Sequence, residues 1–297
     1  MSLARQLKQL LIALRPHQWT KNLIVLAALI FAERLFDGPS LTAAAIAFGI
    51  FCLLSGAVYL VNDVVDVEQD RRHPVKRDRP LASGKLSRVV ALTAAVSIAV
   101  VGLTGAFLLG TRFGIAALVY FMMMTAYSLA LKNVVILDVL VVALGFVLRA
   151  VAGALAIDVA FSNWLLVCTL LGALFLALAK RRRELTLLAG EAAEHRRILG
   201  EYSPYLLDQM IAVVTASTLV SYALYTLAPE TVDRFGTDRF IWTLPLVLYG
   251  IFRYLYLVHR KEAGGNPTKV LLNDRPILVT VALWAAAVVT LIYHGSR

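Results

Sequence analysis

The chain has 297 residues, 60% of them hydrophobic and 16% charged, with a formal net charge of +10. Water-soluble domains are nearer half apolar, so the composition reads as an integral membrane protein. The basic excess falls in short loops at the membrane face, where anionic headgroups attract it, and so does not imply nucleic acid.

In chain order, the opening stretch MSLARQLKQLLIALRP sets Leu3, Leu7, Leu10, Leu11 and Leu14 at helical spacing, with Arg5 and Lys8 between them. This predicts an amphipathic helix lying on the inner membrane surface, and no signal peptide. Uncharged or nearly uncharged runs follow at 41–61, 89–111, 113–131, 159–179, 209–229 and 276–293. Each is close to the ~20 residues a helix needs to cross ~30 Å of hydrocarbon. Three interrupted runs join them: 22–36 with Glu33 and Arg34, 133–157 with Asp138 and Arg149, and 240–258 with Arg253. The expectation is an all-α integral membrane fold, one polytopic domain over 1–297 with nine transmembrane helices. Counting Lys and Arg with the N-terminus inside places 22 in inner segments and 5 in outer ones. Basic residues of short loops stay inside, so the N-terminus is expected to be cytoplasmic. Cys52 and Cys168 fall within predicted spans without motif spacing and read as small buried hydrophobes. The longest hydrophilic insertions, 62–88 and 180–208, follow the second and sixth helices, an arrangement that hints at a duplicated unit.

The first insertion opens with NDVVDVEQDRRHP. Asn62, Asp66 and Asp70 are spaced by four, so they project from one face if the second helix continues past the membrane surface. Stacked carboxylates repel, and a hard cation such as Mg²⁺ relieves this while taking its remaining oxygens from water and a substrate phosphate. The continuation RRHPVKRDRP supplies Arg71, Arg72, Lys76, Arg77 and Arg79, donors suited to phosphate oxygens. A lone DxxxD is more often a solvated loop, and the basic neighbours are what favour a site.

A second group lies in the fifth predicted span. Asp138, Gly145 and Arg149 share one stripe, with Asp138 and Arg149 roughly 16 Å apart along the axis, too far to pair with each other. Ionisable residues within a span face the bundle interior, so each needs a partner elsewhere, and a substrate pocket is expected to supply it.

NDVVDVEQD followed by KRDRPLASG resembles the first aspartate-rich motif of the UbiA superfamily of intramembrane prenyltransferases, and the nine-helix count agrees with that fold. Members that prenylate aromatic rings carry a second aspartate-rich motif after the sixth helix. Here that loop reads LAKRRRELTLLAGEAAEHRRILGEYSPY, with Lys180, Arg181, Arg182 and Arg183 in place of acids. A basic cluster holds an anion directly, so the second ligand is expected to be a phosphate bound without metal. RPHQWTKN at 15–22, YSLALK at 127–132, LDVLVVALGFVLRAVAGA at 137–154, AKRRREL at 179–185 and YSPYLLDQM at 202–210 are similar to one branch of the superfamily. That branch moves the 5-phosphoribosyl group of phosphoribosyl pyrophosphate to a polyprenyl phosphate and releases diphosphate, a step toward cell-wall arabinan.

The resemblance implies that Asn62, Asp66 and Asp70 hold Mg²⁺ and, through it, the donor diphosphate, which Lys76 and Arg79 also contact. Lys21 and Lys132 contact donor or acceptor phosphates, and Tyr127 orients the ribose. Asp138 binds a ribose hydroxyl or orients a cationic group. Arg149, deeper on the same stripe, is either structural or a substrate contact. Lys180, Arg181 and Arg182 hold the second phosphate. Asp66, Asp70, Lys132 and Asp138 are the catalytic candidates. The acceptor is already an anion, so no strong base is needed, and His17, His73, His195, His259 and His294 read as interfacial residues. The polyprenyl tail is expected to leave sideways into the bilayer of the cytoplasmic membrane. A homo-oligomer is compatible with the sequence, which leaves the oligomeric state open. Two other readings stay open at this point: a prenyl diphosphate:aromatic prenyltransferase, and a carrier.

Overall fold

The computed structural model describes residues 3–160, 162–187, 197–260 and 273–294. Every regular element among them is helical. The amphipathic helix α1, Leu3–Ala13, turns Leu7, Leu11 and Ile12 outward and buries Ala13 and Leu14. Eight helices among the described residues are long and apolar enough to cross a membrane.

The run 22–36 is built differently from the continuous helix its composition predicts. A 3-10 helix covers Pro16–Leu26 and a short α2 covers Ala27–Phe31. Pro16 sits at the first helical position, where its missing N–H costs nothing. The segment threads between α3, Gly38–Val65, and α7, Leu137–Ala156. Its backbone approaches α7 so closely that a Cβ on Gly153 would lie 2.0 Å from the Val25 carbonyl oxygen. Only glycine fits there.

The remaining helices are α4 (Val67–Arg72), α5 (Arg88–Leu109), α6 (Thr111–Leu129), α8 (Asn163–Leu187), α9 (Pro204–Leu227), α10 (Pro229–Phe235), α11 (Leu244–Arg260) and α12 (Arg275–His294). Small residues make the interior contacts: α5 presents Ala91, Ala95, Ala99, Gly102 and Ala106 inward at helical spacing, and Val96, Val100, Val101 and Leu108 outward. In lipid there is no hydrophobic drive between helices, so close approach of small residues is what packs them. A second core joins Phe175 of α8, Leu207 and Ile211 of α9 and Tyr254 of α11, with the Phe175 and Tyr254 rings 5.2 Å apart.

Two departures from the expected boundaries position the site. The helix α3 stops at Val65, and Asp66 caps it with a bridging conformation before α4 begins. The helix α8 does not end with its apolar run but continues through Lys180–Arg183 to Leu187. Glu184 holds that polar extension, pairing with Arg181 and lying 3.6 Å from Lys180 one turn away. The expected loop 180–208 is therefore helical at both ends, and residues 188–196 lie outside the described residues.

Candidate active site

The polar side chains gather at one end of the bundle, where α3, α6 and α8 finish and α7 and α9 begin. Residues 66–87 fold back over the end of α3. Leu81 and Ala82 are buried, the Leu86 amide bonds the Pro80 carbonyl at 2.9 Å, and Gly84 takes a φ of 72° that closes the turn. Ser87 then caps α5. The RPLASG stretch thereby returns Arg79 to the acids.

Asn62, Asp66 and Asp70 do not form one continuous column, because the helix breaks at Asp66. Asn62 donates to Asp66 Oδ2 at 3.1 Å, and the buried Lys132 ammonium bonds Asp66 Oδ1 and stands 3.5 Å from Asn62 Oδ1. Asp70 instead accepts from Arg79 at 2.6 Å. Arg79 also reaches Asp63 Oδ1 at 3.1 Å, and that oxygen is shared with Arg15. Asp63 is 1% exposed, and its Oδ2 has no hydrogen-bond partner among the described residues. Arg15, whose guanidinium lies 4.8 Å from the Tyr59 ring centroid, adopts a left-handed φ of 55° between α1 and the 3-10 segment. Asp63 lies within the quoted motif but off its four-residue spacing, and the only local signal at Arg15 is the following Pro16.

The donors fit Mg²⁺ in kind, all being carboxylate or amide oxygens, and the orphaned Asp63 oxygen is a buried acceptor awaiting a positive charge. Among the described residues no three Asp, Glu, His or Cys side chains already enclose a metal position. Lys132, Arg79 and Arg15 neutralise the carboxylates instead.

Across the site, Asp138 at the start of α7 is fully buried. Its Oδ1 accepts from the Tyr202 hydroxyl at 2.7 Å and its Oδ2 from Arg181 Nε. Arg181, 4% exposed, also bonds Glu184 and lies 3.4 Å from the Tyr127 hydroxyl. Tyr127, Asp138 and Arg181 are thus brought together, with Tyr202 and Glu184 as members that spacing did not single out. Arg182 points away and bonds Asp208, which also meets His259 at 3.4 Å.

Arg149 stands apart and deeper, bonding Asn22 Oδ1 at 2.7 Å, the Gly145 carbonyl at 2.9 Å and the Tyr120 hydroxyl at 2.6 Å. Asp138 and Arg149 therefore both find protein partners. Lys21 and Lys76, half-buried, make no ion pair or side-chain hydrogen bond among the described residues. Burial, and then Arg79, push the Lys76 ammonium below its ordinary range.

These features define a helical membrane bundle with a polar site at one end, built where an acidic loop meets lysines and arginines of other segments. The chain belongs to the UbiA prenyltransferase family, which residues 22–273 match. It is 34% identical to the decaprenyl-phosphate phosphoribosyltransferase of Corynebacterium glutamicum over 95% of this chain and 86% of that one. It is 33% identical to the enzyme of the same name from Mycolicibacterium smegmatis, over 95% and 92% of the two chains. Its fold is similar to a UbiA homolog from Archaeoglobus fulgidus solved with GPP and Mg²⁺, with a TM-score of 0.72 at 18% identity, covering 96% and 99% of the two chains.

Proposed function

We propose that the protein transfers the 5-phosphoribosyl group of phosphoribosyl pyrophosphate to a polyprenyl phosphate of decaprenyl type, releasing diphosphate. The observation that carries this reading is the basic run Lys180–Arg183 at the position where aromatic prenyltransferases of the family hold acids, in a chain whose curated relatives bear that activity's name. A site with one carboxylate cluster and many cations suits two phosphate-bearing substrates.

A phosphate oxygen of the lipid attacks the anomeric carbon, the bond from that carbon to the diphosphate oxygen breaks, and the diphosphate leaves with the electron pair. The acceptor is ionised at neutral pH, so no residue need remove a proton. Asn62, Asp66 and Asp70 would hold Mg²⁺, with the orphaned oxygen of Asp63 behind them, and the bound cation would offset charge on the leaving diphosphate. Arg79 and Lys76 donate to the same diphosphate, and Lys132 holds Asp66 in place and adds positive charge beside it. Asp138, locked by Tyr202 and Arg181, takes the orienting role: it fixes Arg181 against Tyr127, the residue that orients the ribose.

The bundle crosses the cytoplasmic membrane with the site facing the cytoplasm, supported by the basic residues of the site-end loops. The 3-10 helix and α2 provide a ninth crossing. A 3-10 helix rises ~2.0 Å per residue against ~1.5 Å in an α-helix, so the 16 residues of Pro16–Phe31 reach about 30 Å, the hydrocarbon thickness.

Purified protein given labelled phosphoribosyl pyrophosphate and polyprenyl phosphates of several lengths should form a lipid-linked phosphoribose and free diphosphate. Transfer from a prenyl diphosphate to an aromatic acid, with no use of phosphoribosyl pyrophosphate, would replace this reading with the aromatic one.

A further inference from the structure

At the end of the bundle away from the acids, a cavity of about 220 Å³ lies between α2, the end of α7, the start of α8, the end of α9 and α10. Ala154 on its wall is sixteen residues beyond Asp138 on α7, about 24 Å along the axis, so the cavity is separate from the candidate active site. Ala28, Phe31, Ala150 and Ala154 line its interior, and the three alanines are buried. On α5 small residues let helices touch; here they leave a void larger than the ~150 Å³ apolar cavity that holds benzene in an engineered protein. Close-packed interiors keep few voids of this size, so the cavity calls for an occupant.

Three polar side chains on its wall lack a hydrogen-bonding partner, and together they describe that occupant. Tyr225 of α9 is 8% exposed, and its hydroxyl makes no hydrogen bond among the described residues. Glu230 and Arg234, exposed at the rim on α10, stand one helical turn apart yet form no ion pair with each other or with any other described residue. The Arg234 guanidinium has only the Phe235 ring, 5.5 Å from its centroid. An acid and a base left open side by side match a zwitterion, with a primary ammonium donating to Glu230 and a phosphate accepting from Arg234. A buried phenol above apolar walls matches an acceptor at the head of a hydrocarbon chain, which an ester carbonyl supplies. A bare isoprenoid chain has no such acceptor and would leave the Tyr225 hydroxyl unsatisfied.

We propose that this cavity seats one acyl chain of a zwitterionic phospholipid with an ethanolamine headgroup, drawn from the membrane leaflet at that end. Its ammonium lies on Glu230, its phosphate on Arg234, and the ester carbonyl of the seated chain accepts from Tyr225. The site is independent of the transfer reaction.

The test is saturable binding of labelled dioleoylphosphatidylethanolamine to the delipidated full-length protein in detergent, with dioleoylphosphatidylglycerol and a polyprenyl phosphate as competitors. The wild type should bind one equivalent per chain and prefer the ethanolamine lipid to the glycerol lipid. Ala154→Leu, which fills the cavity, should weaken binding by at least about tenfold, as exclusion of two or more methylenes implies. Ala150→Leu serves the same purpose should that variant fail to fold. Water screens the rim charges, so Glu230→Gln should weaken the ethanolamine lipid roughly two- to fivefold, and should strengthen the glycerol lipid by removing a repelling carboxylate. Arg234→Gln should weaken both lipids, and Arg239→Gln, outside the cavity wall, should change neither. No saturable equivalent, equal affinity for the two headgroups in the wild type, or unchanged binding in the folded alanine variants would each overturn the site. So would displacement of the bound lipid by polyprenyl phosphate, which would assign the cavity to an isoprenoid tail.

Discussion

The Tyr202 hydroxyl donates to Asp138 Oδ1 at 2.7 Å while accepting from the Ile136 amide at 2.8 Å. Ile136 has a φ of 70°, a conformation that costs a β-branched residue energy, and it is the residue from which α7 starts. Tyr202 thus clamps both the strained entry to α7 and the carboxylate that aims Arg181.

Tyr202→Phe should leave a buried carboxylate oxygen and a backbone amide short of a partner, at a cost of about 1–3 kcal/mol for each unsatisfied group. Its melting temperature should fall, and turnover should fall more than the KM for phosphoribosyl pyrophosphate rises, because Arg181 loses its fixed aim. A variant with wild-type melting temperature and kinetics would remove the clamp from the account.

The two arginines of the basic run should separate cleanly. Arg181→Gln strands Asp138, which is fully buried, and breaking one partner of a buried pair typically costs ~3–5 kcal/mol. Arg182 pairs with the partly exposed Asp208 at the rim, where water screens the pair and such contacts are worth ~0–1 kcal/mol, so Arg182→Gln should fold normally. Arg234→Gln and Arg239→Gln, at the opposite end, should leave specific activity unchanged. Denaturation and activity per folded molecule check all four; an Arg181→Gln protein of unchanged stability would contradict the burial argument.

Asp66→Asn and Asp70→Asn should abolish transfer without unfolding the protein, since each removes several kcal/mol of transition-state charge stabilisation and little packing. Near-normal Mg²⁺-dependent turnover in either variant would count against the metal assignment.

Much of this architecture is legible in the sequence where one kind of periodicity dominates. Uncharged runs gave the long helices, and the spacing of Asn62, Asp66 and Asp70 gave the acidic end of α3. Asp138 and Arg149 stood out because ionisable residues in an apolar run demand partners. The partners themselves were not legible: Arg15 and Asp63 are 48 residues apart, and Asp138 meets Tyr202 across 64. The 3-10 segment has no sequence period of its own, and its course depends on Gly153, on a helix formed more than a hundred residues later. Nor did the break at Asp66 show in composition. Breaking the helix there is what divides the acids into a Lys132 group and an Arg79 group.

The central claim is that the anomeric carbon of phosphoribosyl pyrophosphate, and not a prenyl carbon, is the one transferred. Purified protein should be incubated with Mg²⁺, polyprenyl phosphate and phosphoribosyl pyrophosphate labelled separately in the ribose and in the diphosphate. The account predicts ribose label in the lipid phase and diphosphate label in water, in equal amounts and dependent on both substrates. Diphosphate released with no ribose label in the lipid, or lipid transferred only from a prenyl diphosphate, would contradict it.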